Sequence, residues 1–303
     1  MHNNTLRKIL VAIDLSQSSL NALDLGVNMA LRNKASLVLA YVDDQLFSND
    51  SHDLASASNA DNTEDILQAL CVNLTKKHNI NASVLILKGF VSDSIIRASN
   101  EGLADLIIMG THGASGYRQF FIGSNTYTVI KNALCPVLTA PSLKKWTEFR
   151  KIVFPVRPIP GALQRYQFLQ NLISRTDPLL EVLGLSVNKG EDDAQILTEM
   201  VEELRQQVKS DGVKFFISIN YGNNIAEDII KKCAQTEADL LVLSSSVDIS
   251  RNQFFVGPHS QQVINHSQIP VLNMRRNNTG RIAGEGADMK KAISPEIQKS
   301  GSA

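Results

Sequence analysis

Four glycines and a serine crowd the stretch GTHGASGYRQFFIGSN: Gly110, Gly113, Gly116, Gly123 and Ser124 all fall within residues 110–125. Glycine allows positive φ and lets a ligand approach the main chain closely. The stretch begins on the last residue of the apolar run LIIMG and precedes a segment whose apolar residues Val129, Ile130, Ala133 and Leu134 mark one side of a helix. Ser124 reads as the residue that caps and opens that helix. The free N–H groups of Ser124, Asn125 and Thr126, helped by the helix dipole and the Ser124 hydroxyl, would form an anion site suited to phosphate. A glycine-rich turn that merely joins strand to helix is the alternative, because an isolated GxxG is a weak signal.

The elements that must position this loop alternate in type. Lys8–Asp14, Ser36–Val42, Ala82–Leu87, Asp105–Gly110 and Pro136–Ala140 are brief, rich in Val, Ile and Leu, and mostly apolar on both faces, as buried parallel strands are. Helices are expected between them over about 17–33, 63–78, 91–101 and 125–133. This order implies a parallel sheet covered on both faces, with ligands held beyond the carboxyl ends of the strands near a topological switch point. The glycine loop lies at such a strand end.

The pattern occurs twice. Residues 104–138 align without a gap with residues 238–272, sharing an Ala-Asp-Leu start, a Gln-Phe-Phe core, one glycine and a final Pro-Val-Leu. RKILVAID (7–14) likewise matches RKIVFPVR (150–157). The chain reads as a tandem duplication: residues 1–143, residues 144–274, and a tail over 275–303 rich in Gly, Ser, Asn and charge that is expected to be flexible. Strands of the second copy are expected near 151–156, 179–187, 213–219, 239–244 and 270–274.

Composition excludes several classes of function. The 303 residues include 30 basic and 30 acidic side chains, so no net charge recruits nucleic acid. Three scattered cysteines give neither a disulfide framework nor a zinc site, and with no apolar segment at the start they suit a cytoplasmic protein that does not enter a membrane. No Gly-x4-Gly-Lys-Ser/Thr, HExxH or nucleophile elbow is present, and GEGA (284–287) lacks a preceding strand. Asp43 and Asp44 are adjacent at a strand end, where successive side chains face opposite ways, so they make a poor acid/base couple.

The spacing Gly110-x2-Gly113-x9-Gly123-Ser124, with GTHG and CPVL in their places, resembles the nucleotide-binding signature of the universal stress protein family. The resemblance spans both copies, over about residues 7–274. It implies two tandem α/β domains in a flavodoxin-like or adenine nucleotide α-hydrolase-like layout, each a five-stranded parallel sheet flanked by helices. It also implies ATP, with or without Mg²⁺, as the ligand. Carried over, Asp14 would hold a ribose hydroxyl or a metal-bound water, or else cap a helix. Val42 would read the adenine edge through main-chain groups, or be a core valine. Met109 and Gly110 would flank the ribose. Gly113, Gly123, Ser124 and Asn125 would cradle the phosphates, and His112 would add a donor or stand in solvent. Ala114 departs from the family, which frequently has arginine there.

In the second copy Asp14 becomes Arg157, Gly110 becomes Ser244, Gly113 becomes Val247 and Ser124 becomes Pro258, while Gly123 persists as Gly257. Valine disfavours positive φ and proline lacks an N–H, so this copy is expected not to hold phosphate. The resulting expectation is a universal stress protein whose first domain binds ATP as a regulatory ligand, ordering the loop 110–124 and changing the surface offered to a protein partner. A slow ATP hydrolase or phosphotransferase using the same pocket, and a nucleotide-free interaction protein, are the alternatives. The resemblance further implies that the last strands, CPVLTA and IPVLNM, lie at sheet edges and pair the copies as an intrachain pseudo-dimer. A homodimer of two such chains is the further arrangement to which the resemblance points.

Overall fold

The computed structural model describes residues 6–44, 57–111, 122–141, 148–159, 162–173, 176–187, 191–222, 224–245, 247–248, 253–254 and 258–275. The first half runs β1 (Lys8–Ala12), α1 (Gln17–Asn33), β2 (Ser36–Asp43), α2 (Ala57–His78), β3 (Ala82–Lys88), α3 (Val91–Asn100), β4 (Leu106–Gly110), α4 (Ser124–Asn132) and β5 (Val137–Ala140). The second runs β6 (Lys151–Val156), α5 (Ala162–Ile173), β7 (Leu179–Ser186), α6 (Glu191–Ser210), β8 (Lys214–Tyr221), α7 (Ile225–Thr236) and β9 (Leu240–Ser245). A small antiparallel pair, β10 (Val247–Asp248) with β11 (Gln253–Phe254), then leads to α8 (Pro258–His266) and β12 (Val271–Arg275). The helix expected near 63 begins at Ala57, because the polar run ASNADN carries no apolar period to read. The expected tail over 275–303 falls, beyond Arg275, outside the described residues.

Ten strands form one sheet in the order β3-β2-β1-β4-β5-β12-β9-β6-β7-β8. Each half contributes five parallel strands, as expected, and the halves meet where β5 and β12 run antiparallel, with Leu138 opposite Leu272. Alternate strand residues point to opposite faces, so each run feeds two cores. Ile9, Val11, Leu106 and Ile108 pack under α1 and α2, while Leu10, Ile107 and Met109 pack under α3 and α4. The cores continue across the seam: Leu138 and Leu272 share one, Val137 and Val271 the other. Arg32 on α1 also reaches Glu148, at 3.6 Å, from the segment preceding β6.

The repeated Ala-Asp-Leu word has a structural cause. Asp105 accepts hydrogen bonds from the main-chain N–H groups of Arg7 and Lys8, both at 2.8 Å, and so fixes the entry of β1 beside β4. Asp239 does the same for Arg150 and Lys151 at the entry of β6, at 2.9–3.0 Å. In each half one carboxylate thus satisfies two main-chain donors at the start of the first strand. Cys71, Cys135 and Cys233 are free, and burial pushes the Cys135 and Cys233 thiols up to about 12, away from reactive thiolate.

Replacing Asp105 or Asp239 by alanine is expected to lower stability by about 1–2 kcal/mol, read as a fall in the urea midpoint with little change in slope. An unchanged midpoint would show that these carboxylates do not hold the strand entries.

Candidate functional site

In each half the first strand sits between the second and the fourth, so the chain turns in opposite directions from β1 and from β4. The carboxyl ends of these two strands are the switch point of the first half, where a crevice is expected. A cleft of about 190 Å³ opens there. Asp14, Val42, Met109, Gly110, Gly123, Ser124 and Asn125 all line it. His112 and Gly113, the remaining expected site residues, lie outside the described residues.

The turn after β1 is tightly specified. Ser16, and not Asp14, caps α1: its side chain accepts from the Ser19 N–H at 3.2 Å. Asp14 instead accepts from the Ser16 N–H at 3.0 Å, while Leu15 between them takes φ 61°, a left-handed conformation uncommon outside glycine. Ser19 is buried, receives the Asp14 N–H at 3.3 Å and itself lines the cleft. The exposed Asp14 carboxylate is thereby set at the cleft and released from the capping role that was its alternative.

Val42 lines the cleft near the end of β2. The Ala40 carbonyl accepts from the Ile13 N–H at 2.8 Å, so it faces β1. Peptide groups alternate sides along a strand, which turns Val42 the same way two residues further on, beyond the last β1–β2 partner pair Ala12 and Ala40. Met109 is 5% exposed and belongs to the core that also floors the cleft. The phenol of Tyr41 is raised above its usual range by burial and then by the Asp43 carboxylate, with Asp44 and Asp14 adding smaller pushes. Of these acids Asp14 lines the cleft, and its carboxylate makes this corner electronegative.

The opposite corner is electropositive by main-chain geometry. Gly123 is the N-cap of α4, at φ −59° and ψ 146°, and no side chain caps this end; Ser124 is the first helical residue and not the cap. The first amides of such a helix lack partners within the helix and carry the positive end of its dipole. Two hydrogen bonds hold this end against the end of β4, Gly123 N–H to the Thr111 carbonyl at 2.8 Å and Thr126 Oγ1 to the Gly110 carbonyl at 2.9 Å, while Tyr127 N–H to the Gly123 carbonyl at 2.9 Å closes the first turn of the helix. Thr126 is buried and lines the cleft with a role its side chain did not advertise in sequence. Val91 and Ile95, four residues apart on α3, and Ala12, Ile13 and Ala40 complete the wall.

Gly110 has a different reason from the one expected. It is not among the residues with positive φ; a Cβ there would stand 2.3 Å from Ser18 Oγ and 2.9 Å from the Ser18 carbonyl carbon. Glycine is required so that the start of α1 can press against the end of β4, which closes that side of the cleft.

The second half keeps the scaffold and changes the chemistry. Arg157 stands at the end of β6, half-buried, its pKa lowered by burial and its Nε without a hydrogen-bond partner. Val247 sits in the β10–β11 pair, and α8 begins at Pro258, which has no N–H to offer. Among the described residues no group of three or more His, Cys, Asp or Glu could hold a metal ion, and no helix is long and apolar enough to cross a membrane.

Replacing Gly110 by alanine is expected to cost about 1–3 kcal/mol through overpacking against Ser18, measured by urea unfolding. A neutral result would show that α1 and β4 have room to separate.

Comparison with known proteins agrees with this architecture. A sequence profile of the universal stress protein family matches residues 5–141 and 168–275. A universal stress protein of Methanocaldococcus jannaschii is 30% identical over 147 residues, covering 47% of this chain and 86% of the relative. One from Synechocystis is 28% identical over 135 residues, 45% of this chain and 42% of the relative. The crystal structure of a universal stress protein from Archaeoglobus fulgidus superposes with a TM-score of 0.73 over 91% of this chain and 100% of that one, at 19% identity. The duplicated α/β scaffold and the matched segments together make this chain a member of the universal stress protein family, with two such domains in tandem.

Proposed function

We propose that the first domain, residues 1–143, binds ATP as a regulatory ligand, and that the second, residues 144–274, does not. The observation that carries this reading is the convergence of Asp14, Val42, Met109, Gly110, Gly123, Ser124 and Asn125 on one cleft whose two ends have opposite character. The main chain of Val42 suits the hydrogen-bonding edge of adenine. The Asp14 carboxylate suits a ribose hydroxyl. The uncapped start of α4 suits phosphate, with His112 and Gly113 as further contacts. Asp14 is the single charged side chain among the described lining residues, so Mg²⁺ would accompany the phosphates and take no more than that carboxylate from the protein.

A regulatory role fits the charge of the cleft. Phosphoryl transfer depends on cations that neutralise charge developing on the transferred group, and no lysine or arginine lines the cleft among the described residues. The protein is taken to act in the cytoplasm, where ATP at α4 changes the surface presented to a protein partner.

Isothermal titration of the full chain with ATP tests the site. Asp14→Ala is expected to weaken binding about tenfold, the loss of roughly one charge-assisted hydrogen bond. Gly113→Val, which copies Val247, is expected to remove measurable binding while circular dichroism stays unchanged. Retained micromolar affinity in a folded Gly113→Val protein would contradict the proposed phosphate site.

Single-turnover phosphate release is expected to fall far below the ~1–100 s⁻¹ of kinases. A rate within that range that is lost in Asp14→Ala would establish an enzyme instead.

A further inference from the structure

The two halves touch at the phosphate end of the cleft. Asn265 on α8 accepts, through Oδ1, the main-chain N–H of Ile122 at 3.2 Å, across the seam between the copies. Ile122 immediately precedes Gly123, the N-cap of α4, and its side chain packs on the core that contains Val129 and Ile130 of α4 together with Val263 and Ile264 of α8. Helix α4 also packs against β12, so the cleft's phosphate end rests on the second half through both main chain and side chains.

The contact is not a by-product of the repeat. By the alignment that pairs Val129 with Val263 and Ile130 with Ile264, Asn265 occupies the position of Lys131 in the first copy. A lysine has no acceptor and cannot receive a main-chain N–H. The second copy, whose own helix start is altered by Pro258, carries the one side chain of this matched pair that can hold a main-chain donor in the other.

We infer that Asn265 is a positioning residue for the ATP site of the first domain, and that nucleotide binding there is coupled to helix α8 of the second. This rests on the ATP reading above. Asn265 fixes Ile122, Ile122 fixes Gly123, and Gly123 sets where the amides of Ser124 and Asn125 point. Without the clamp, binding must restrain this corner at the expense of affinity. By reciprocity, ATP strengthens the hold of Ile122 on α8, and any partner that moves α8 changes the affinity for ATP.

The test uses the full chain and three proteins: wild type, Asn265→Leu and Asn265→Asp. Hydrogen exchange at the Ile122 amide is measured without nucleotide, and ATP affinity by titration. Asn265→Leu is expected to exchange faster at Ile122 and to bind ATP about fivefold more weakly, the scale of one hydrogen bond. Asn265→Asp keeps the acceptor and is expected to restore slow exchange at Ile122, a rescue that mere packing would not give. Wild-type affinity in Asn265→Leu, or equally fast exchange in both variants, overturns the coupling and leaves the ATP reading standing. Absence of ATP binding by the wild type overturns both.

Discussion

The antiparallel pairing of β5 with β12 is the constraint on which the rest of the molecule depends. A five-stranded parallel sheet that ended at β5 would present a row of unpaired N–H and C=O groups to water or to another chain. The duplicated chain supplies the partner itself, with Val271, Leu272 and Asn273 opposite Thr139, Leu138 and Val137. The pairing joins both cores across the seam and makes one ten-stranded sheet. It also brings α8 against the start of α4, so the fold's need to cover an edge places the second half beside the cleft of the first.

Within that frame the halves have been held to different requirements. Asp105 and Asp239 recur because each half must anchor the entry of its first strand, a demand of the fold alone. Asp14, Gly110 and Ser124 do not recur, and Arg157, Ser244 and Pro258 replace them at matched positions. The kept aspartates serve the scaffold, whereas Asp14, Gly110 and Ser124, which differ, line the cleft. This division is the physical basis for reading one domain as the nucleotide-binding one and the other as its support.

Much of this was legible in the sequence because it depends on local pattern. Short apolar runs alternating with helical periods revealed the parallel strands, and the repeat revealed the two halves. Seven of the nine expected site residues meet at one cleft, since strand ends and helix starts at a switch point converge wherever this topology forms. Roles that depend on exact placement were not legible. Helix capping was the alternative role for Asp14, yet Ser16 caps α1 after a left-handed turn at Leu15, a residue with no preference for that conformation. Gly110 looked like a flexible loop position, yet it is the approach of Ser18 from another element that demands glycine. Asn265 had no signal at all, because its partner lies 143 residues away and meets it across the seam.

The asymmetry between the halves is tested most directly by native mass spectrometry of the full chain over a titration with ATP, which counts bound nucleotides on each intact molecule. One ATP per chain, saturating without a second addition, is the predicted result. Two nucleotides of comparable occupancy per chain, or none at saturating ATP, would contradict it.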